Sequence, residues 1–237
     1  MQNSAEIRWF WRSPVPDGLE EWFRSGAFPP GGGRLRKDVY LADPGQLELG
    51  IKQRDGTDAA EVKGFVARFL TPIRIGTLSG HAELWTKWSS PSLRLDGFTT
   101  QTVIKTRWLR MFEVTSGVVR EIELGEDEKP RNAEEKLPEQ GCNLEYTNVS
   151  LAHGGQPWST VGLESFGDYA LVETNLRLTL QYLGSRPLPT FRTGEELSYP
   201  GWLDLQRREQ ATGAAIDLCG MSALEALKFR DLQEACA

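Results

Sequence analysis

At 237 residues the chain is long enough to bury a full core, and its 39% hydrophobic and 25% charged content is that of a globular domain. A formal net charge of -6 excludes broad electrostatic attraction to nucleic acid or to an anionic membrane, so any anion site has to be local and enclosed. No run approaches the roughly 20 apolar residues of a membrane span, and Met1 to Glu6 show no basic-then-apolar secretory pattern, which predicts a soluble, cytoplasmic protein with no membrane partner.

Strand-like runs recur in chain order at 7–11, 38–41, 47–53, 61–70, 81–88, 99–114, 117–124 and 142–152. Between them, Pro29-Pro30-Gly31-Gly32-Gly33, Arg54-Asp55-Gly56 and Ser89-Ser90-Pro91 supply the backbone freedom and missing donors that end strands, so short hairpin links and an antiparallel sheet are expected. The charged run 125–140 has almost nothing to bury and reads as a surface loop. After Gly167, Asp168 is placed to cap a helix in which Val172, Leu176, Leu180 and Leu183 recur at three- and four-residue spacing, with Gly184 to end it, while the alternation of Leu176, Leu178 and Leu180 leaves a strand open as the other reading. Residues 187–200 read as an irregular connection within one domain. A second helix is expected from the capping-box spacing at Ser222-Ala223-Leu224-Glu225, with Leu224, Leu227 and Leu232 as its stripe. The reading is therefore α+β, mainly β, as a single domain with strands over about 4–167 and a helical part over about 168–237.

Alternate residues of a strand share a face. Glu6 and Arg8 lie opposite Ile7, Trp9 and Trp11. Lys52 and Arg54 alternate with Leu49 and Ile51, Glu61 and Lys63 flank Val62, and Lys105-Thr106-Arg107 and Asn143-Leu144-Glu145 repeat the pattern. Such faces can simply meet water, as one side of many antiparallel sheets does. The opposite faces are bulky and apolar, however, and helices near the C-terminus could cover them. A closed barrel with its apolar side outward would then turn Arg8, Lys52, Arg54, Lys63, Lys105 and Arg107 into a basic lumen that needs carboxylates and a bound anion.

In order along the chain, Arg36 to Leu41, Leu49 to Arg54, Glu61 to Gly64, Lys105 to Arg107 and Asn143 to Thr147 resemble the strands of the CYTH-like proteins, the triphosphate tunnel metalloenzymes. The resemblance spans roughly 6–167. It implies an eight-stranded antiparallel tunnel that takes a triphosphate or related organic phosphate, with the six Lys and Arg residues on phosphoryl oxygens. It further implies Mg²⁺ or Mn²⁺ held by carboxylates, for which Glu6, Glu145 and Glu61 are the candidates, Glu6 and Glu145 being the catalytic pair. The family's first strand carries two Glu and a Lys at alternate positions, where Glu6, Arg8 and Phe10 stand here; one carboxylate has become a cation and the Lys an aromatic. Three functions follow: a metal-assisted triphosphatase or phosphohydrolase, a non-catalytic polyanion or organic-phosphate binder on the same scaffold, and a barrel for an apolar ligand. The oligomeric state is open.

Other signals point to structure. His81 and His153 stand alone, the glycines at 31–33 lack a following Lys-Ser or Lys-Thr, and 158–167 lacks nucleophile-elbow spacing. Within that segment Trp158 and Phe166 read as core, and Glu164 as a cap or surface residue or, as the alternative, a carboxylate that supports the site from behind. Cys142, Cys219 and Cys236 have neither disulfide nor zinc spacing, and the Asn148 sequon lies in a strand-like run.

Overall fold

The alternation along the first strand decides the architecture, because one face of Gln2–Arg12 is apolar and has to be covered while the other is charged and has to be paired. The computed structural model describes residues 1–42 and 45–220, with no side chains described for 213–220. Its elements are β1 (Gln2–Arg12), α1 (Leu19–Arg24), β2 (Gly31–Leu41), β3 (Leu49–Arg54), β4 (Ala60–Arg68), β5 (Ile73–Ile75), β6 (Leu78–Gly80), β7 (Glu83–Ser90), β8 (Thr100–Thr115), β9 (Val118–Ile122), β10 (Gly141–Leu151), β11 (Trp158–Gly167), α2 (Val172–Gly184), β12 (Glu195–Glu196) and α3 (Tyr199–Gly220).

Eight strands form a closed antiparallel ring in the order β1, β7, β4, β3, β2, β8, β10, β11 and back to β1. The expected closed barrel is therefore present. β9 extends the edge of β8, and β12 pairs with Trp9 and Phe10 of β1 where β7 no longer reaches, since β7 covers only Gln2 to Glu6.

The apolar faces point outward. Ile7, Trp9 and Trp11 of β1, Leu144 and Tyr146 of β10, and Val161 and Leu163 of β11 pack under Leu19, Trp22 and Phe23 of α1 and under Val172, Leu176, Leu180 and Leu183 of α2. Each such side chain contributes about 1.5–3 kcal/mol by leaving water, which is what offsets the entropy of ordering α2 on the sheet. A second cluster closes one end of the lumen: Phe10 stacks on Trp202 with ring centroids 5.7 Å apart, and Val103, Val149 and Trp158 pack around them. No described helix is long and apolar enough to cross a membrane.

Several expectations change. Gly31–Gly33 belong to β2 instead of a turn, and their positive φ at Gly32 and Gly33 accommodates a shift of register against β8 before Leu35. Residues 158–167 form β11, the strand that closes the ring, a role the sequence reading left unassigned. α2 starts at Val172 with no side-chain cap; Asp168 instead accepts the Ala170 amide at 2.8 Å, one turn earlier. α3 begins inside the stretch read as an irregular connection, because Tyr199 and Trp202 have an aromatic cluster to join. The expected helix from Ser222, with Leu224, Leu227 and Leu232, lies outside the described residues, and so does Cys236.

Candidate functional site

Because the inward positions of all eight barrel strands converge on one axis, their polar residues line a cavity of about 200 Å³. Arg8, Lys52, Arg54, Lys63, Lys105 and Arg107, each expected to face inward, all line it, as do Glu6, Glu61 and Glu145. The structure adds Arg36, Lys87 and Arg68 as further cations and Glu83, Glu164 and Glu196 as further carboxylates. Nine cationic side chains thus face six carboxylates, and even with Asp38 and Glu128 joining from the wall the balance stays positive.

The pairing has three layers. At the closed end Lys105, 1% exposed, lies 3.0 Å from Asp38 Oδ2, donates to the Tyr40 hydroxyl at 2.6 Å and sits 3.6 Å above the Tyr199 ring. Burial pushes the Lys105 ammonium down to about 7, against the pull of Asp38. Burial also raises the Asp38 carboxyl, but Lys105, Lys52 and Arg36 override it and leave it at about 2. Lys52 reaches Glu61 at 3.0 Å and is lowered to about 8 by burial and by the charge of Lys105.

In the middle Arg8 Nη2 donates to Glu145 Oε2 at 2.5 Å and Arg107 Nη1 donates to Glu145 Oε1 at 2.7 Å. Burial opposes ionisation of Glu145, but the two guanidiniums hold its carboxyl well below the usual range. The outer edge of the Arg107 fork is taken by Glu128, to which Nε donates at 2.9 Å and Nη2 donates as well. Arg8 Nη1, by contrast, is buried and has no hydrogen-bond partner among the described residues. An unpaired guanidinium nitrogen in a dry wall is costly, and Arg36 Nε, also in the lining, shares that state among the described residues.

Nearer the other end Lys63 pairs with Glu6, and Lys87 pairs with Glu164 at 3.3 Å. Glu6 and Glu164 are direct partners across β1 and β11. Burial raises the Glu6 carboxyl against the pull of Lys63, and the charge of Glu164 raises it further. At Glu164 burial is outweighed by Lys87 and Lys63, so its carboxyl lies below the usual value.

Arg8 can lie flat against β11 because its cross-strand partner is Gly162. A Cβ there would stand 2.5 Å from Arg8 Cζ. Gly162→Ala should therefore push the guanidinium off Glu145 and cost about 1–3 kcal/mol, the usual penalty of overpacking, measurable by urea denaturation. An unchanged midpoint would mean that Arg8 has room to spare.

The three carboxylates expected to hold a metal are apart in role. Glu6 accepts from Lys63 and from Ser4 at 2.5 Å, Glu145 is held by Arg8 and Arg107, and Glu61 by Lys52 and by Arg54 at 3.5 Å. Each already carries a cation, and among the described residues no three His, Cys, Asp or Glu side chains converge as a ligand set. Oxygen ligands for Mg²⁺ or Mn²⁺ would have to be stripped of an ammonium or guanidinium first, so this donor set fits a divalent ion poorly. Phe10 belongs to the aromatic cluster with Tyr199 and Trp202.

Asp38, Tyr40, Arg36, Lys87 and Glu164 were missed as site residues. The first three alternate along β2 and the same period-2 rule finds them; Glu164, read as a cap or surface residue, instead faces the lumen because β11 is a strand. Phe166, read as core, is half-buried and lines the lumen, as does His81, whose Nδ1 lies 3.0 Å from the Phe69 carbonyl; Trp158 and Cys142 are buried, the Cys142 thiol being pushed up by burial, and Asn148 is exposed on β10. Fold and site together define a closed antiparallel β-barrel with a charged, cation-rich lumen sealed at one end. In comparison with known proteins, no family model matches the chain and no curated protein matches it.

Proposed function

We propose that the lumen binds a triphosphate or another phosphorylated small molecule as a polyanion, with the cations of the wall as its ligands. The observation that carries this reading is Arg8: a lumen-lining guanidinium, 9% exposed, with Nη2 satisfied by Glu145 and Nη1 without an acceptor among the described residues. Phosphoryl oxygens suit that vacant donor and the neighbouring Lys63, Lys87 and Lys52, because charge-assisted hydrogen bonds are about twice as strong as neutral ones and shorter. The resemblance to the triphosphate tunnel family adds support on the same residues. An apolar ligand would have to displace or bury this charge, which disfavours the third function considered. Hydrolysis assisted by Mg²⁺ or Mn²⁺ at Glu6 and Glu145 requires those carboxylates to exchange partners, so binding without turnover is the primary reading.

The test is a calorimetric titration of tripolyphosphate into the purified protein, with and without Mn²⁺. Saturating heat without Mn²⁺ is expected; no heat in either arm would overturn the proposal, and continuing heat only with Mn²⁺ would restore the hydrolytic reading. Lys105 and Lys52 lose protons near pH 7 and 8 in the free protein, and a bound anion favours their charged forms. Binding at pH 8 should accordingly take up protons and weaken as pH rises. Lys52→Arg, charged throughout, should take up fewer in buffers of differing ionisation heat.

A further inference from the structure

Glu128 is an acidic residue on an exposed loop whose carboxylate is spent inside the site. It stands in the charged run between β9 and β10, with a left-handed backbone, φ 62, an unusual conformation for a residue other than Gly, Asn or Asp. The loop is fixed for this purpose: Gly125 accepts the Glu128 amide at 3.0 Å, the Gly125 amide donates to Lys129 at 2.8 Å, and the Gly32 amide donates to Gly125 at 3.3 Å, which ties the loop to the start of β2. The carboxylate then meets Arg107 Nε and Nη2 side by side, the geometry in which a guanidinium takes a phosphate. Arg107 therefore offers one nitrogen to Glu145 of the wall and its outward fork to a tethered anion.

We propose that Glu128 is a built-in competitor for one anionic group of the ligand, so that the outer fork of Arg107 is a terminal phosphate subsite and Glu128 sets selectivity for phosphate-chain length. The proposal rests on the polyanion reading of the lumen. Arg8 and Arg107 share Glu145, so the acceptor-free Nη1 of Arg8 and the fork held by Glu128 belong to one constellation. A ligand short enough to be satisfied by Arg8 and the lysines leaves Glu128 in place. One with a further phosphoryl group reaches Arg107 and has to displace it. The Glu128 side chain is 25% exposed, so its displacement returns a carboxylate to water instead of stranding it.

Pyrophosphate and tripolyphosphate are titrated into the wild-type chain, Glu128→Gln, Glu128→Gly and Glu126→Gln. Glu126 is the control for loop charge, since it makes only a 3.5 Å exposed contact with Arg34. Removing the competitor should tighten tripolyphosphate by about tenfold, the closed-to-open ratio of one charge-assisted contact, and leave pyrophosphate within about twofold. Glu128→Gly, in which positive φ is unstrained, should do the same, which separates the carboxylate from the backbone. Equal gains for both ligands, a matching gain in Glu126→Gln, or no gain while wild type binds tripolyphosphate would each overturn the proposal. Failure of every chain to bind either phosphate would instead remove the polyanion reading on which it stands.

Discussion

Asp38→Asn is expected to destabilise the fold by about 3–5 kcal/mol at pH 7, the cost of taking one partner from a buried ion pair, and to lower Tm by roughly 10 °C for a chain of this size. Asp38 is 0% exposed and is the shared counter-charge of Lys105 at 3.0 Å, Lys52 at 3.9 Å and Arg36 at 3.8 Å. Asn keeps the shape and removes the charge, which leaves a buried ammonium facing a second ammonium and a guanidinium. The pH dependence gives the test its direction. The Asp38 carboxyl is lowered to about 2 in the fold against about 3.9 in the unfolded chain, so its contribution is present above the unfolded value and fades as pH falls towards 2. Lys105 and Lys52 have folded values of about 7 and 8, below the unfolded value near 10.4, so in wild type both shed their charge in the fold as pH rises past 8. With fewer cations to balance, losing the Asp38 charge matters less. The deficit of Asp38→Asn should accordingly shrink between pH 7 and 9.5 in paired denaturation curves. A deficit that stays constant or grows would mean that Lys105 and Lys52 are not the groups Asp38 serves.

The lumen was legible because a strand reports its two faces in a period of two, and β1, β3, β4, β8 and β10 keep that period around the charged residues they bring to the lumen, although a register shift between Phe65 and Ala67 breaks it further along β4. Ile7, Trp9 and Trp11 against Glu6 and Arg8 already state that one face is covered and the other charged. What alternation cannot state is whether the sheet closes, since an open sheet reads the same; closure here depends on β11, whose inward positions Thr160, Gly162, Glu164 and Phe166 mix polar, small and aromatic residues and blur the signal. Gly162 is small for the sake of Arg8, a cross-strand neighbour 154 positions away in the chain, so a local window holds no cue to it. The same applies to Tyr199, which joins Lys105 and Arg8 from α3, and to Glu128, whose partner Arg107 is two strands back. Sequence exposes what repeats along a strand and hides what a loop or a distant helix brings to it.

Arg54 and Arg8 were indistinguishable as anion ligands in the sequence, and the structure separates them. The Arg54 side chain is 43% exposed and shares Glu61 with Lys52, whereas Arg8 is buried with its Nη1 unpartnered among the described residues. Arg54→Ala should therefore change tripolyphosphate affinity by less than about fivefold, the ceiling for one exposed pair. Arg8→Met removes the vacant donor and one of the two guanidiniums on Glu145, so the remaining carboxylate charge repels the incoming anion as well; a loss of about 100-fold is expected, from about 3 kcal/mol of charge-assisted contact. Arg8→Lys keeps the charge but cannot bridge Glu145 and a phosphoryl oxygen at once, because an ammonium lacks the rigid fork, and should fall between the two at about tenfold. Thermal denaturation of each variant alongside the titration separates binding from folding. Equal affinity in Arg8→Met and wild type, with the fold intact, would show that Nη1 of Arg8 is not a ligand contact and would move the anion towards the adjacent layer of Lys63 and Lys87.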